Sequence, residues 1–381
     1  MSRKKPVPIA CLAVLATALI AALTFGAEPT SSHICGDCHR DIYRMWLESS
    51  HATALENPVF MDVLRETQDR EGEDVRRTCL GCHAPLVQVT GDYQLAQRVT
   101  WEGANCEYCH SIVEVDDSKR PPDVRIEIGA VKRGPILNAS STGHEVAYSE
   151  LHDSARVCAP CHEWTNPEGT AIMTTYSEWQ KSQAAADGLS CQSCHMGLTR
   201  ANVVDPRVKR VAHAEVNLHK VPGGHSLEQL HRALAVFISP HREGSNLALE
   251  VRLTNKGAGH AVPTGMPGRR VILDVTVETS GGQSFSERRV YEKKFAGAGG
   301  EPITRDSRFF ARGVTMLSDT RIQPDEKRTE EFRFPVPPSA TAYITVKLHY
   351  EHAPRGTAED RTWLTFLSEK RVVRPKEKPP G

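Results

Sequence analysis

The pattern Cys-x-x-Cys-His occurs five times in this chain, and no other feature limits its folding as much. The pairs are Cys35 and Cys38, Cys79 and Cys82, Cys106 and Cys109, Cys158 and Cys161, and Cys191 and Cys194. Each is followed at once by a histidine: His39, His83, His110, His162 and His195. Of eleven cysteines only Cys11, in the N-terminal stretch, stands outside the pairs. Two thiols at this spacing form thioether bonds to the vinyl groups of one haem, and the adjacent imidazole reaches the iron from the proximal side. Zinc ribbons and redox dithiols also use Cys-x-x-Cys, but neither requires histidine after every second cysteine. Disulfides between such close pairs would staple no long loop. The motifs therefore predict five covalent haem c groups, with all ten cysteines as attachment points.

Function then depends on the other side of each iron. Seventeen histidines less the five proximal ones leave His33, His51, His144, His152, His213, His219, His225, His231, His241, His260, His349 and His352. His51 follows a segment with helical spacing of Ile42, Met45, Trp46 and Leu47. It lies twelve residues after His39, roughly 18 Å along a helix, so the two cannot share one iron and His51 must serve a different haem. His144 follows the Gly134-Pro135 turn and a polar loop, and is expected to precede a short helix leading to the fourth motif. His219 and His225 flank the turn Pro222-Gly223-Gly224, from which both could point into a haem cluster or one could bond a propionate. His260 sits in Gly-His-Ala-Val-Pro-Thr-Gly, a tight loop between strands. His51, His144, His219, His225 and His260 are thus the candidate distal ligands, whereas His349 and His352 read as solvated or structural.

The N-terminus places Arg3, Lys4 and Lys5 before an uncharged apolar run over residues 7–25, the form of an export signal or a retained membrane anchor. Residues 1–27 are assigned that role, which predicts a periplasmic or extracellular protein. Lysine and arginine total 47, as do aspartate and glutamate, so no charge excess points to nucleic acid. Aromatic residues are only 6% of the chain, a thin apolar supply unless porphyrin fills part of the interior.

An α+β, multidomain chain is expected. A mainly helical, loop-rich multihaem domain occupies residues 28–230, with helices near 41–50, 58–69 and 176–186 and a hairpin from 112–115 and 124–131. An immunoglobulin-like antiparallel β-sandwich follows over 231–372, with strands near 233–238, 247–253, 271–279, 289–294, 329–334 and 342–350, and residues 373–381 form a flexible tail. The β-region contains no cysteine, no nucleophile elbow and no P-loop. Its charged residues read as solvated strand faces, and no catalytic residue is singled out.

At CGDCHRDIYRMWLESSHATA, TCLGCHAPL, GANCEYCHSI, VCAPCHEW, YSEWQKSQAAADGLSCQSCHMG and NKGAGHAVPTGMPGRR the chain resembles multihaem cytochromes of the c-552/c-554 type. These are related to the tetrahaem cytochrome c-554 of ammonia oxidisers, often with an added β-domain. The resemblance implies bis-histidine haems in an electron-transfer chain and a neighbouring iron for His51, with similar local wording at His144 and His260. Five motifs instead of four depart from that pattern. Electron transfer between a membrane quinol-linked or periplasmic donor and a downstream acceptor is the leading expectation. One alternative is an oxidoreductase acting on a small nitrogen or sulfur compound at a five-coordinate haem. Another is a cytochrome filament subunit, in which oligomerisation would be functional.

Overall fold

The computed structural model describes residues 27–209, 214–359 and 361–375. The expected export segment, His213 and most of the tail lie outside the described residues. Among the described residues no helix is long and apolar enough to cross a membrane.

The first part of the chain is a succession of short helices and two-stranded sheets built around the motifs. Motif residues lie in or beside the helices Ser32–Cys38, Asp74–His83, Cys106–His110, Ala159–His162 and Cys191–His195. Helical geometry suits the motif, because residues three and four apart share one face, so both thiols and the histidine point the same way. Local caps start these short pieces: Asn105 Oδ1 accepts from Tyr108 N at 2.9 Å, and Ser190 and Ser193 form a reciprocal capping box. Side-chain cores here are small. One joins Leu55, Leu64, Leu80, Ala84, Val87 and Leu95, and another joins Leu86, Tyr108, Ile112 and Val115.

The second part holds two antiparallel sheets. Lys327–Phe334, Asn246–Asn255 and Leu234–Glu243 form one in that order, and Ser284–Tyr291, Arg269–Thr279, Ala342–His352 and Thr362–Val373 form the other. Strand side chains alternate between faces, so Leu247, Leu249, Val251 and Leu253 from the first sheet meet Val271, Leu273, Val275, Val277, Ile344, Val346 and Leu348 from the second in one cluster. This supports a mixed helical and antiparallel-β protein.

Several local expectations change. Residues 176–186 are two helices, Thr175–Gln180 and Gln183–Ala186, broken where the Ser182 side chain caps the second by accepting from Ala185 N. Val131 leaves the hairpin: Ile112–Asp116 pairs with Asp123–Ile126, while Val131–Gly134 runs parallel to Glu145–Tyr148. His144 therefore precedes a strand, not a helix. Residues 289–294 divide between Ser284–Tyr291 and Lys293–Ala296, which belong to different sheets. The proposed boundary at 230/231 falls within the helix Leu227–Ala233, whose end runs directly into a strand.

The two parts meet along the helix Pro58–Glu71. Asn57 Oδ1 caps it by accepting from Val59 N at 2.9 Å, and the turn Asp306–Phe310 packs against it. Arg305 reaches Glu66 and Arg355 reaches Asp62, each at 2.8 Å.

Leu273 is fully buried between the paired strands Ser284–Tyr291 and Ala342–His352. Leu273→Ala should destabilise the protein by about 2–5 kcal/mol, read as a lower denaturant midpoint with an unchanged slope.

Candidate haem-ligand sites

The proximal histidines are oriented by backbone carbonyls distant in sequence. His39 Nδ1 bonds Val203 O at 2.6 Å, His110 Nδ1 bonds Arg133 O at 2.6 Å, and His195 Nδ1 bonds Pro222 O at 2.7 Å. A carbonyl only accepts, so each Nδ1 carries the proton and Nε2 keeps its lone pair for a metal. The same holds for three distal candidates. His144 Nδ1 donates to Glu145 O at 2.9 Å, His219 Nδ1 to Asn217 O at 2.7 Å, and His260 Nδ1 to Ala261 O at 2.9 Å.

These rings face one another in pairs. Centroids are 6.1 Å apart for His39 and His144, 6.4 Å for His162 and His51, 6.5 Å for His110 and His219, and 6.2 Å for His195 and His260. A metal–imidazole bond of about 2 Å plus about 1 Å from nitrogen to ring centre places two trans imidazoles roughly 6 Å apart. The four pairs therefore fit a bis-histidine iron between them. Distance alone does not select the partner of His110, because His152 is 5.7 Å away. Both nitrogens of His152 are engaged, with Ser149 Oγ at 2.9 Å and Cys109 O at 2.8 Å, so it has no lone pair to offer.

Desolvation by the surrounding chain, reinforced by neighbouring imidazoles, pushes His162 down to about 3 and His110 to about 4, although the rings are partly open to solvent. His83 is likewise pushed down to about 4, chiefly by desolvation. All are neutral near pH 7, as iron ligation requires.

His51 is set by its backbone: Ala104 N donates to His51 O at 3.1 Å, and Trp46 Nε1 donates to Ala104 O at 3.0 Å. Gly103 makes the approach possible, since it has φ +65° and a Cβ there would lie 2.1 Å from His51 O. Neither Gly103 nor the orienting carbonyls carry a recognisable sequence signal.

His83 differs. Among the described residues no imidazole faces it across an iron-sized gap; its ring is stacked on Phe60 at 3.7 Å, and its Nδ1 has no hydrogen-bond partner. His225 is not paired with any motif histidine. It lies edge-on to Tyr350 at 5.5 Å, beside Arg269 and His352, so the structure gives no support to His225 as a distal ligand. His349 is buried in a strand and bonds Thr365 Oγ1 at 2.8 Å, and His352 pairs with Asp306 at 3.1 Å.

None of the ten described cysteines is in a disulfide, and the motifs adjoin one another out of chain order. Cys35 contacts Cys106, Cys82 contacts Cys161, and Cys158 contacts Cys191. Cys109 also stands near Cys158 and Cys161. The fourth motif is thus the common neighbour of the second, third and fifth.

The family model of cytochrome c554 and c-prime matches residues 34–111, which hold the first three motifs. A crystal structure of a penta-haem cytochrome c552 from Thermochromatium tepidum has the same fold, with a TM-score of 0.71 at 22% identity, covering 91% of this chain and 100% of that one. The chain is thus similar to multihaem c-type cytochromes of the c552/c554 type, in sequence over its first three motifs and in fold over most of its length. A second solved structure, a putative ApaA protein from Bordetella pertussis, matches 38% of this chain and 95% of its own at 13% identity, with a TM-score of only 0.22. No curated protein matches by sequence.

Charged residues of the β-region are not all solvated as the sequence suggested. Arg321, Lys293 and Glu351 are buried, because they meet partners that only tertiary packing supplies. Lys293 Nζ crosses the seam to donate to Ala171 O at 3.1 Å and Thr174 Oγ1 at 3.3 Å. Burial, with the Arg321 cation, pushes its amine down to about 8 from 10.5. Between those values the unfolded chain binds a proton that the folded chain has released, so stability rises with pH across that window. Relative to Lys293→Met, the wild type should gain stability between pH 8 and 10.5, measured by urea midpoints at both ends. A constant difference would contradict this assignment.

Proposed function

We propose that this protein transfers electrons through five covalently bound haems in a periplasmic or extracellular respiratory chain. The observation that carries the reading is the set of four facing imidazole pairs at iron-spanning distance. In three of them both Nδ1 atoms are tied to carbonyls, which leaves both Nε2 atoms for the metal. When bound, haem c supplies a one-electron couple whose potential is set by axial ligands, hydrogen bonds and burial. The ten motif cysteines tether the groups against loss outside the cell. His39, His110, His162 and His195 hold the proximal side; His144, His219, His51 and His260 hold the distal side. Pairing His162 with His51 uses a ligand from between the first two motifs to close the fourth, which draws the motifs together. The two antiparallel sheets are read as an immunoglobulin-like module that donates His260 and docks against the motif region. Residues 1–27 are proposed to direct export or to anchor the chain, with a quinol-linked or periplasmic donor and a downstream acceptor as partners.

A second reading rests on His83. With no facing imidazole among the described residues, its iron would be open to a small nitrogen or sulfur compound, with the other haems supplying electrons. Electron paramagnetic resonance of the oxidised protein separates the two. Low-spin signals alone support the electron carrier, whereas a high-spin signal of one haem equivalent that shifts with nitrite, hydroxylamine or sulfite supports the enzyme.

Replacing His51, His144 or His219 singly by Ala should convert one haem equivalent from low to high spin, while His225→Ala should leave the ligand spectrum unchanged. Haem content by pyridine haemochrome should be five per chain and drop by one for each Cys-x-x-Cys motif changed to Ala-x-x-Ala.

A further inference from the structure

The loop carrying His260 belongs to the β-region, whereas His195 belongs to the motif region, so something must register one against the other. Glu178, on the helix Thr175–Gln180, is placed to do so. Its side chain is only 9% exposed, yet its carboxylate receives four donors. Oε2 accepts from Ala261 N at 3.0 Å and from Thr264 Oγ1 at 2.9 Å, one and four residues after His260 in its loop. Oε1 accepts from Thr174 Oγ1 at 2.6 Å and pairs with Arg321 Nη2 at 2.8 Å. Four donors fill the acceptor capacity of a carboxylate, and a buried charge so satisfied resists displacement.

The rest of the loop is held by groups that converge on the same point. Arg321 is also bidentate to Asp319, at 2.8 and 2.7 Å, and donates to Pro263 O at 3.3 Å. Asn255 Nδ2 donates to His260 O at 2.8 Å. Thr175 Oγ1 lies 2.8 Å from Thr264 Oγ1. A Cβ on Gly259 would stand 3.0 Å from the Ala184 methyl and 3.1 Å from the Trp179 ring, so the loop lies flush against the motif region.

We propose that Glu178 is the positioning residue for His260, which makes closure of the iron site above His195 conditional on docking of the β-region. The inference rests on the reading that His195 and His260 share one iron. Glu178 does not touch that iron; it fixes the loop at the residue next to the ligand and again three residues further on, and places one negative charge beside the pair. The other three paired sites draw both histidines from the motif region and have no such dependence.

The test uses the haem-loaded full chain, with haem content and far-UV circular dichroism as folding controls. His260→Ala should convert one haem equivalent to high spin, with low spin restored by added imidazole. Glu178→Ala should give the same signal in part, also reversed by imidazole. Glu178→Gln keeps an acceptor oxygen for the loop but removes the charge. It should stay low spin while raising the midpoint potential of one haem, since loss of a nearby negative charge disfavours the oxidised form. Thr264→Val removes one loop contact without leaving a charge unpaired, and should show a smaller high-spin fraction even if Glu178→Ala fails to fold. Unchanged spectra and potentials in the Glu178 and Thr264 variants, beside a converted His260→Ala, would overturn the positioning role and leave the ligand pair standing. An unchanged His260→Ala spectrum would overturn the pair and, with it, this proposal.

Discussion

Six Nδ1–carbonyl hydrogen bonds set the chemistry of this protein, because each decides which imidazole nitrogen keeps a lone pair. The carbonyls that hold proximal rings come from far along the chain: Val203 for His39, Arg133 for His110 and Pro222 for His195. The distal rings are held locally, by the next residue for His144 and His260 and by the residue two before for His219. A proximal histidine is therefore oriented only once distant segments have packed, whereas a distal one brings its own orienting group. Ligand geometry and tertiary structure form together.

The same dependence explains why the two parts of the chain are not independent. The β-region has one extended core shared between two sheets, while the motif region has several small clusters. Across the seam lie an apolar cluster, in which Trp164 and Ile172 meet Phe295, Phe309 and Val314, and a set of ion pairs and hydrogen bonds: Arg305 with Glu66, Arg355 with Asp62, Arg321 with Glu178, and Lys293 with carbonyls of the opposing strand. Buried polar contacts of this kind add little net stability but penalise misregistered docking, since a shifted seam would strand charges without partners. Registration is what a ligand donated across the seam needs.

His83 stands apart. Its ring is stacked on Phe60 beside the apolar cluster around Leu55, Leu64 and Leu80, and the nearby His51 faces His162 instead. The stacked phenyl ring fixes the plane of the imidazole, and burial outweighs the Ala54 backbone group that favours its protonated form. One motif thus differs from the other four in what its histidine faces.

Much was legible from the chain itself. Covalent attachment needs two thiols and an imidazole within five residues, a local requirement, so the ten cysteines and five histidines proposed for it stand out as a pattern in the chain alone. Strand periodicity announced the β-region, because alternation is also local. His51, His144, His219 and His260 were visible as candidates from loop context, yet nothing in sequence could pair them: His51 faces His162, 111 positions later. His225 has the same local turn chemistry as His219 and was indistinguishable from it until packing turned one toward His110 and the other toward Tyr350. The seam residues Lys293 and Arg321 looked like ordinary solvated strand charges, and Glu178 carried no signal of its own, because burial of a charge depends on partners that the chain brings together only in three dimensions. The sequence by itself determined the five Cys-x-x-Cys-His motifs on which the proposed haem count rests; tertiary structure decided which histidine faces which, because that is a matter of distance in space and not along the chain.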